Sequence, residues 1–134
     1  MPALKLKVLE PSESSIQAAI LRFLRVCRAV AWAERFNTGA MKQETKDART
    51  GKLKRRFVRF AFPGCSDILG QMKDGRFLAI EVKTSTGRAT EEQEAFLQRV
   101  AEHGGVAILA RSLGDVVERM TQETAATGAK TCGV

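Results

Sequence analysis

The chain has 134 residues, 22 of them basic and 15 acidic, for a formal net charge of +7. That length fits one compact domain, and a domain of this size buries roughly two-thirds of its unfolded surface, so it needs no disulfides to fold. No run approaches the ~18 apolar residues of a membrane span, and Met1 to Pro11 alternates Leu4, Lys5, Leu6, Lys7 and Val8 where a signal peptide has an apolar stretch. Three scattered cysteines (Cys27, Cys65, Cys132) form no CxxC pair. They argue against a disulfide framework or a zinc ribbon and fit a reducing cytoplasm. His103 is the only histidine, which speaks against a His-based triad and leaves oxygen donors for any metal.

In chain order, Ser12 or Ser14 caps a first helix. Its apolar stripe Ile16, Ile20, Phe23, Leu24, Cys27 and Val30 carries it to about Val30. Ala31 to Asn37 reads as a strand ending in a Thr38-Gly39 turn. Ala40 to Lys54 is polar and basic and reads as a mobile hairpin tip, with Arg55 to Phe62 as the returning strand. Pro63-Gly64 breaks the chain before a strand from about Ser66 to Met72. Asp74-Gly75 then signals a hairpin into a strand from Arg76 to Thr84. Thr90-Glu91-Glu92-Gln93 has capping-box form and opens a helix with Phe96, Leu97 and Val100 inward, stopped at Gly104-Gly105. Val106 to Ala110 is a buried strand, and Ser112 caps a last helix through Leu113, Val116, Val117 and Met120. After Thr121 the composition turns small and polar, so the tail is expected to be disordered. The plan is an N-terminal arm (1–11), one α/β domain (12–121) with a mixed, mostly antiparallel sheet flanked by helices, and a tail (122–134). The step from the Arg76–Thr84 strand through a helix to Val106–Ala110 suits a parallel crossover.

The charge is not spread evenly. Between Arg35 and Phe60 stand Arg35, Lys42, Lys46, Arg49, Lys52, Lys54, Arg55, Arg56 and Arg59 against only Glu44 and Asp47, which is the whole +7; the remainder balances. Such a patch can neutralise several phosphates and release their counterions. A solvated charged loop is the plainer alternative, and an acidic protein or membrane surface a further one. The absence of tyrosine and the presence of one tryptophan weigh against an aromatic platform for single strands.

Glu81 and Lys83 fall on one face of their strand, about 7 Å apart by strand rise. The hairpin decides whether Asp67 joins them. A two-residue loop at Asp74-Gly75 puts Asp67 opposite Val82, on the other face. A three-residue loop, Lys73-Asp74-Gly75 with Gly75 left-handed, or an equivalent bulge, puts it opposite Glu81, and that odd register is the expected one. Two adjacent carboxylates repel, which raises a pKa or recruits a cation. Oxygen ligands of this kind suit Mg²⁺ or Mn²⁺, and Lys83 beside them can orient a water and stabilise charge on a phosphate. Taken singly, Glu81–Lys83 is also readable as a solvated ion pair.

Pro63-Gly64-Cys65-Ser66-Asp67, Asp74-Gly75-Arg76, Glu81-Val82-Lys83, Gly87-Arg88 and Gln93 together resemble the virus-type replication-repair nuclease (VRR-NUC) family of the PD-(D/E)xK superfamily. Ser12-Glu13, Ile16-Gln17 and Asn37-Thr38-Gly39 extend the likeness over about Ser12 to Arg111; Ser66 departs from it where many members have proline. The resemblance implies a restriction-endonuclease-like core, with Asp67 and Glu81 as metal ligands completed by the Val82 carbonyl, and Lys83 as the catalytic lysine. It also implies Glu13 facing the metal directly or through water, and Gln93 lying over the site. Two of these have other readings: Glu13 as a first-turn acid favouring the helix dipole, Gln93 as the capping partner of Thr90. Arg88 reads as a phosphate contact or a loop charge, and Asn37 as a turn residue or a contact to the hairpin or DNA.

The expected activity is Mg²⁺-dependent hydrolysis of DNA phosphodiesters, foremost at four-way (Holliday) junctions, as small stand-alone phage and bacterial resolvases of this type perform it. Arg35, Lys42, Lys52, Lys54, Arg55, Arg56, Arg59 and Arg88 form the expected DNA grip, through phosphates more than bases. Paired cuts imply a two-fold homodimer, with Leu4, Leu6 and Val8 or the first helix as candidate contacts, in the cytoplasm of a bacterial or phage-infected cell. The alternatives are a nuclease for flaps, nicks or other DNA, and a non-catalytic nucleic-acid-binding module.

Overall fold

The computed structural model describes residues 9–36, 40–59 and 61–127; Leu4, Leu6, Val8, Asn37-Thr38-Gly39 and Cys132 lie outside the described residues. Helix α1 (Glu13–Val26) starts at Ser12, whose Oγ accepts the Ser15 N–H at 3.2 Å, and buries Ile16, Gln17, Ile20, Leu21 and Leu24. It stops short of Val30 because Cys27 takes an extended conformation at the C-cap. Cys27 and Val30 are buried as the stripe required, Cys27 from the cap and Val30 from β1 (Val30–Arg35). Cys65 is a free buried thiol.

The basic segment is more regular than a mobile tip. It forms β2 (Ala40–Lys46) and β3 (Leu53–Arg59), an antiparallel pair in unbroken register from Ala40↔Arg59 to Lys46↔Leu53. This pair is a separate two-stranded sheet; β3 does not return along β1. The partner of β1 is β4 (Ile68–Met72), which pairs in turn with β5 (Phe77–Val82). After α2 (Glu91–Glu102), β6 (Val106–Ala110) lies parallel to β5, so the main sheet runs β1-β4-β5-β6. α3 (Leu113–Thr127) closes the described chain.

Alternation along the central strands splits the core. Ile68, Met72, Leu78, Ile80 and Val82 face α1 and α3, where they meet Ile20, Leu24, Val116 and Met120. Leu69 and Ala79 face the other way, onto Val100, Phe96 and Leu97 of α2. The result is a three-layer α/β/α stack, with α1 and α3 on one side of the sheet and α2 on the other.

Composition predicts a disordered tail after Thr121, but α3 continues to Thr127. Tertiary anchors hold it: Thr124 is buried with its Oγ1 bonded to the Met120 carbonyl, and Glu123 accepts from both Arg76 and Arg119. Residues 128–134 lie outside the described ones.

Candidate active site

The β4–β5 hairpin builds the site. Met72 N–H bonds the Arg76 carbonyl at 2.8 Å and Gly75 N–H bonds the Met72 carbonyl at 2.9 Å, enclosing Lys73-Asp74-Gly75 as a three-residue loop with Gly75 at φ 97°. Ile68 then pairs with Ile80, so the next position on each strand sets Asp67 opposite Glu81. This is the odd register expected from the sequence. Asp67 Oδ2 accepts the Val82 N–H at 2.8 Å, which locks its carboxylate across the strand. The turn before it is fixed by Gly64, at φ 81°, where an added Cβ would stand 2.5 Å from the Glu92 carbonyl oxygen of α2.

Glu81 is 1% exposed. Its Oε1 lies 3.5 Å from Lys83 Nζ, and its Oε2 is buried with no hydrogen-bond partner among the described residues. Burial first, and the Asp67 carboxylate second, push the Glu81 carboxyl up to about 8, against the opposing pull of Lys83. A buried hard-oxygen donor left unpaired beside a second carboxylate suits a divalent cation. Asp67 and Glu81 therefore fit a pair of metal ligands, and Val82, whose carbonyl the resemblance adds to the set, follows Glu81 in β5.

The other expected site residues are less close. Glu13 is half-buried in the first turn of α1. Among the described residues no three His, Cys, Asp or Glu side chains converge on one point, so the structure brings together two acids, not three. The start of α1 is nevertheless tied to this end of the sheet, because Glu10 Oε2 accepts from Ser85 Oγ at 2.6 Å, two residues beyond Lys83. Gln93 is in the capping box: its Oε1 accepts the Thr90 N–H at 2.9 Å and its own N–H bonds Thr90 Oγ1 at 3.2 Å. Only its amide nitrogen is outside that arrangement. Cys65, buried nearby, has its thiol pKa raised by burial, with the Glu81 and Asp67 charges adding to the rise, so it is a poor nucleophile.

Of the expected DNA grip, Arg35, Lys52, Lys54 and Arg88 are exposed. The backbones of Lys42, Arg55, Arg56 and Arg59 lie in β2 and β3, while their side chains fall outside what is described. Both ends of the hairpin attach beside Asp67: β1 leads into it through Phe36, whose N–H bonds the Asp67 carbonyl at 2.8 Å, and β3 leads out through Pro63-Gly64.

Arg111 is a residue that sequence reasoning missed. Its guanidinium donates to the Thr84 and Gly87 carbonyls at 2.6 and 2.7 Å, and its backbone N–H bonds Asp115 Oδ2 at 2.8 Å. It pins the loop that follows Lys83. The one signal for it in the chain is a lone arginine wedged between a buried strand and a helix cap.

No curated protein matches the chain. The family model of the VRR-NUC domain matches residues 11–113, which takes in every element from α1 to β6. With Asp67, Glu81 and Lys83 gathered on an α/β core of PD-(D/E)xK type, the chain belongs to the VRR-NUC domain family, a family of nuclease domains.

Proposed function

We propose that this nuclease domain is a divalent-metal-dependent endodeoxyribonuclease that hydrolyses phosphodiester bonds in branched DNA, foremost at four-way (Holliday) junctions. The observation that carries the reading is the buried Glu81 carboxyl, its Oε2 without a partner among the described residues, held opposite Asp67 and 3.5 Å from Lys83. Asp67 and Glu81, completed by the Val82 carbonyl and by Glu13 directly or through water, would hold Mg²⁺ or Mn²⁺. When bound, the ion supplies Lewis-acid stabilisation of charge on the scissile phosphate.

The chain's own groups do the rest. Lys83 presents an ammonium beside the carboxylates, where it orients the attacking water and offsets charge on the phosphate. The Gln93 amide nitrogen is assigned to the same site from α2. The exposed cations of the β2–β3 hairpin, with Arg35 and Arg88, neutralise neighbouring phosphates and so set affinity more than sequence preference. Resolution of a junction needs two opposed cuts, which a two-fold homodimer provides. The nuclease domain is taken to run from Ser12 through the end of α3, and its place of action as the cytoplasm of a bacterial or phage-infected cell. Among the described residues no helix is long and apolar enough to cross a membrane.

The test is cleavage of four-way junction, flap, single-stranded and linear duplex DNA with Mg²⁺, beside Lys83→Ala. Loss of about 10²-fold or more in rate is expected for the variant; equal cutting by it refutes the mechanism. Cutting of flaps but not junctions keeps the chemistry and removes the resolvase assignment. Binding without cutting, indifferent to the ion, returns the chain to a non-catalytic binding module.

A further inference from the structure

The edge strand β1 carries a bulge, and the bulge decides what stands next to Asp67. Val30 pairs with Met72, but Trp32 pairs with Gln71, so one extra residue is taken up between them. Without it, strict alternation from buried Val30 would send Trp32 into the α1 face of the core. With it, Ala33 turns inward at 4% exposure, and Trp32, Glu34 and Phe36 turn to the face that carries Asp67 and Glu81. The opposing position is built to match: a Cβ on Gly70 would stand 2.4 Å from the Trp32 carbonyl oxygen. The indole is oriented as well, its Nε1–H donating to Gln71 Oε1 at 3.1 Å while Gln71 Nε2 donates to the Gly75 carbonyl.

Among the described residues no helix covers this half of the sheet face. α2 packs on β5 and β6, leaving Trp32 on β1 44% exposed and Phe36, the residue after β1, 38% exposed. Phe36 is directly across from Asp67, bonded backbone to backbone at 2.8 Å, and Trp32 follows about 13 Å further along the strand by strand rise. Glu34, exposed between them, repels phosphate from the row itself. A surface of two aromatic planes with a central acid accepts bases and disfavours backbone, whereas the cations of the adjoining hairpin do the reverse.

We propose that the Trp32–Phe36 row stacks unpaired bases of the strand whose phosphate lies at Asp67 and Glu81, so that the site selects DNA with unstacked nucleotides at the cut. The inference rests on the nuclease reading above and gives it a source of structure selectivity. In continuous duplex the bases are stacked on one another and cannot reach the row; at a branch point or in a single-stranded arm they can. The single tryptophan and the absent tyrosine, which argued against such a platform in the sequence, count for less once the bulge puts Trp32 and Phe36 on the face of the acids, Phe36 beside Asp67 and Trp32 further along the same row.

Trp32 is the chain's only tryptophan, so its emission reports on the row directly. The full chain in EDTA, which prevents cutting, is titrated with a thymidine oligonucleotide, an abasic strand of equal length and a duplex. Emission is expected to be quenched by the thymidine strand and little changed by the other two. Phe36→Ala should weaken single-strand binding by about tenfold, the size of one base–aromatic stack, and duplex binding by less than about twofold. Phe36→Tyr should restore it. Circular dichroism melting of each variant confirms folding. Unchanged emission at saturating single strand, or equal losses on single strand and duplex, overturns the row while leaving the nuclease reading intact. Failure of the parent chain to bind the thymidine strand also overturns the row, whereas the nuclease reading stands or falls by cleavage with Mg²⁺ beside Lys83→Ala.

Discussion

Ion binding at this site should be coupled to a proton on Glu81, and the sign follows from its surroundings. Burial and the Asp67 charge hold the carboxyl at about 8 in place of the ordinary 4.5, so at neutral pH the metal-free site keeps Glu81 protonated. A cation needs the carboxylate, so binding must expel that proton. Well below pH 8 each unit of acidification should lower the apparent affinity for Mg²⁺ or Mn²⁺ about tenfold, roughly 50-fold in all between pH 8 and pH 6, and above pH 8 the dependence should level off. The same shift acts on folding. A carboxyl whose pKa is higher in the folded state than in the unfolded leaves stability at its fullest below about 4.5, and that stability is lost as pH rises toward about 8. Metal-free Glu81→Gln should therefore melt above the parent chain at about pH 9, by an amount worth on the order of a few kcal/mol, with the margin narrowing on acidification. Isothermal titration calorimetry without DNA, in two buffers of different ionisation heat, measures both affinity and proton release. Nearly one proton released per ion at pH 7 is expected. An affinity that stays flat from pH 6 to pH 8 with no proton released refutes the reasoning, because Glu81 would then be ionised already.

Replacing Lys54, Arg55 and Arg56 by glutamine should weaken DNA binding and flatten its salt dependence, by about 0.9 in log–log slope for each phosphate no longer neutralised. Turnover at saturating DNA should change little; its collapse would show that the hairpin acts on the chemistry. Thr90→Ala removes half of the capping box and should cost about 1 kcal/mol in denaturant melts while cleavage holds. Gln93→Glu keeps the box, which glutamate serves equally well, but loses the amide nitrogen. Its cleavage rate should fall at an unchanged melting temperature, and full activity would confine Gln93 to the cap. Gly64→Ala places a Cβ 2.5 Å from the Glu92 carbonyl oxygen at φ 81° and should destabilise by roughly 1–3 kcal/mol in urea titration. A neutral result there would mean that the turn against α2 can shift.

Much of the site was legible in the chain because its determinants are local. Gly75 at the left-handed position of a three-residue loop sets the hairpin register, and period-two alternation then places Asp67, Glu81 and Lys83 on one face. Ser12, Thr90 and Gln93 are likewise read from spacing, since a cap is made within four residues of itself. Gln93 shows where that reading stops: one side chain satisfied two patterns, and only the folded chain shows its oxygen held by Thr90.

What the tertiary structure decided is long-range. Whether the residues after Thr121 fold depended on Glu123 meeting Arg76, far away in the chain, and no window of composition contains that pairing. The partner of β1 depended on which strand its edge met, and β4 won over β3. Arg111 acquired a role only because the crossover brings β6 beside the loop after Lys83. The one-residue bulge in β1 is the sharpest case. Alternation read along Val30–Phe36 assigns each side chain to a face, but a bulge is fixed by the opposing strand, here by Gly70, and it moves every later residue to the other face. The sequence by itself determined a basic nuclease core and the acids at its centre. Only the fold decided what surrounds those acids, because that depends on contacts between residues that the chain keeps apart.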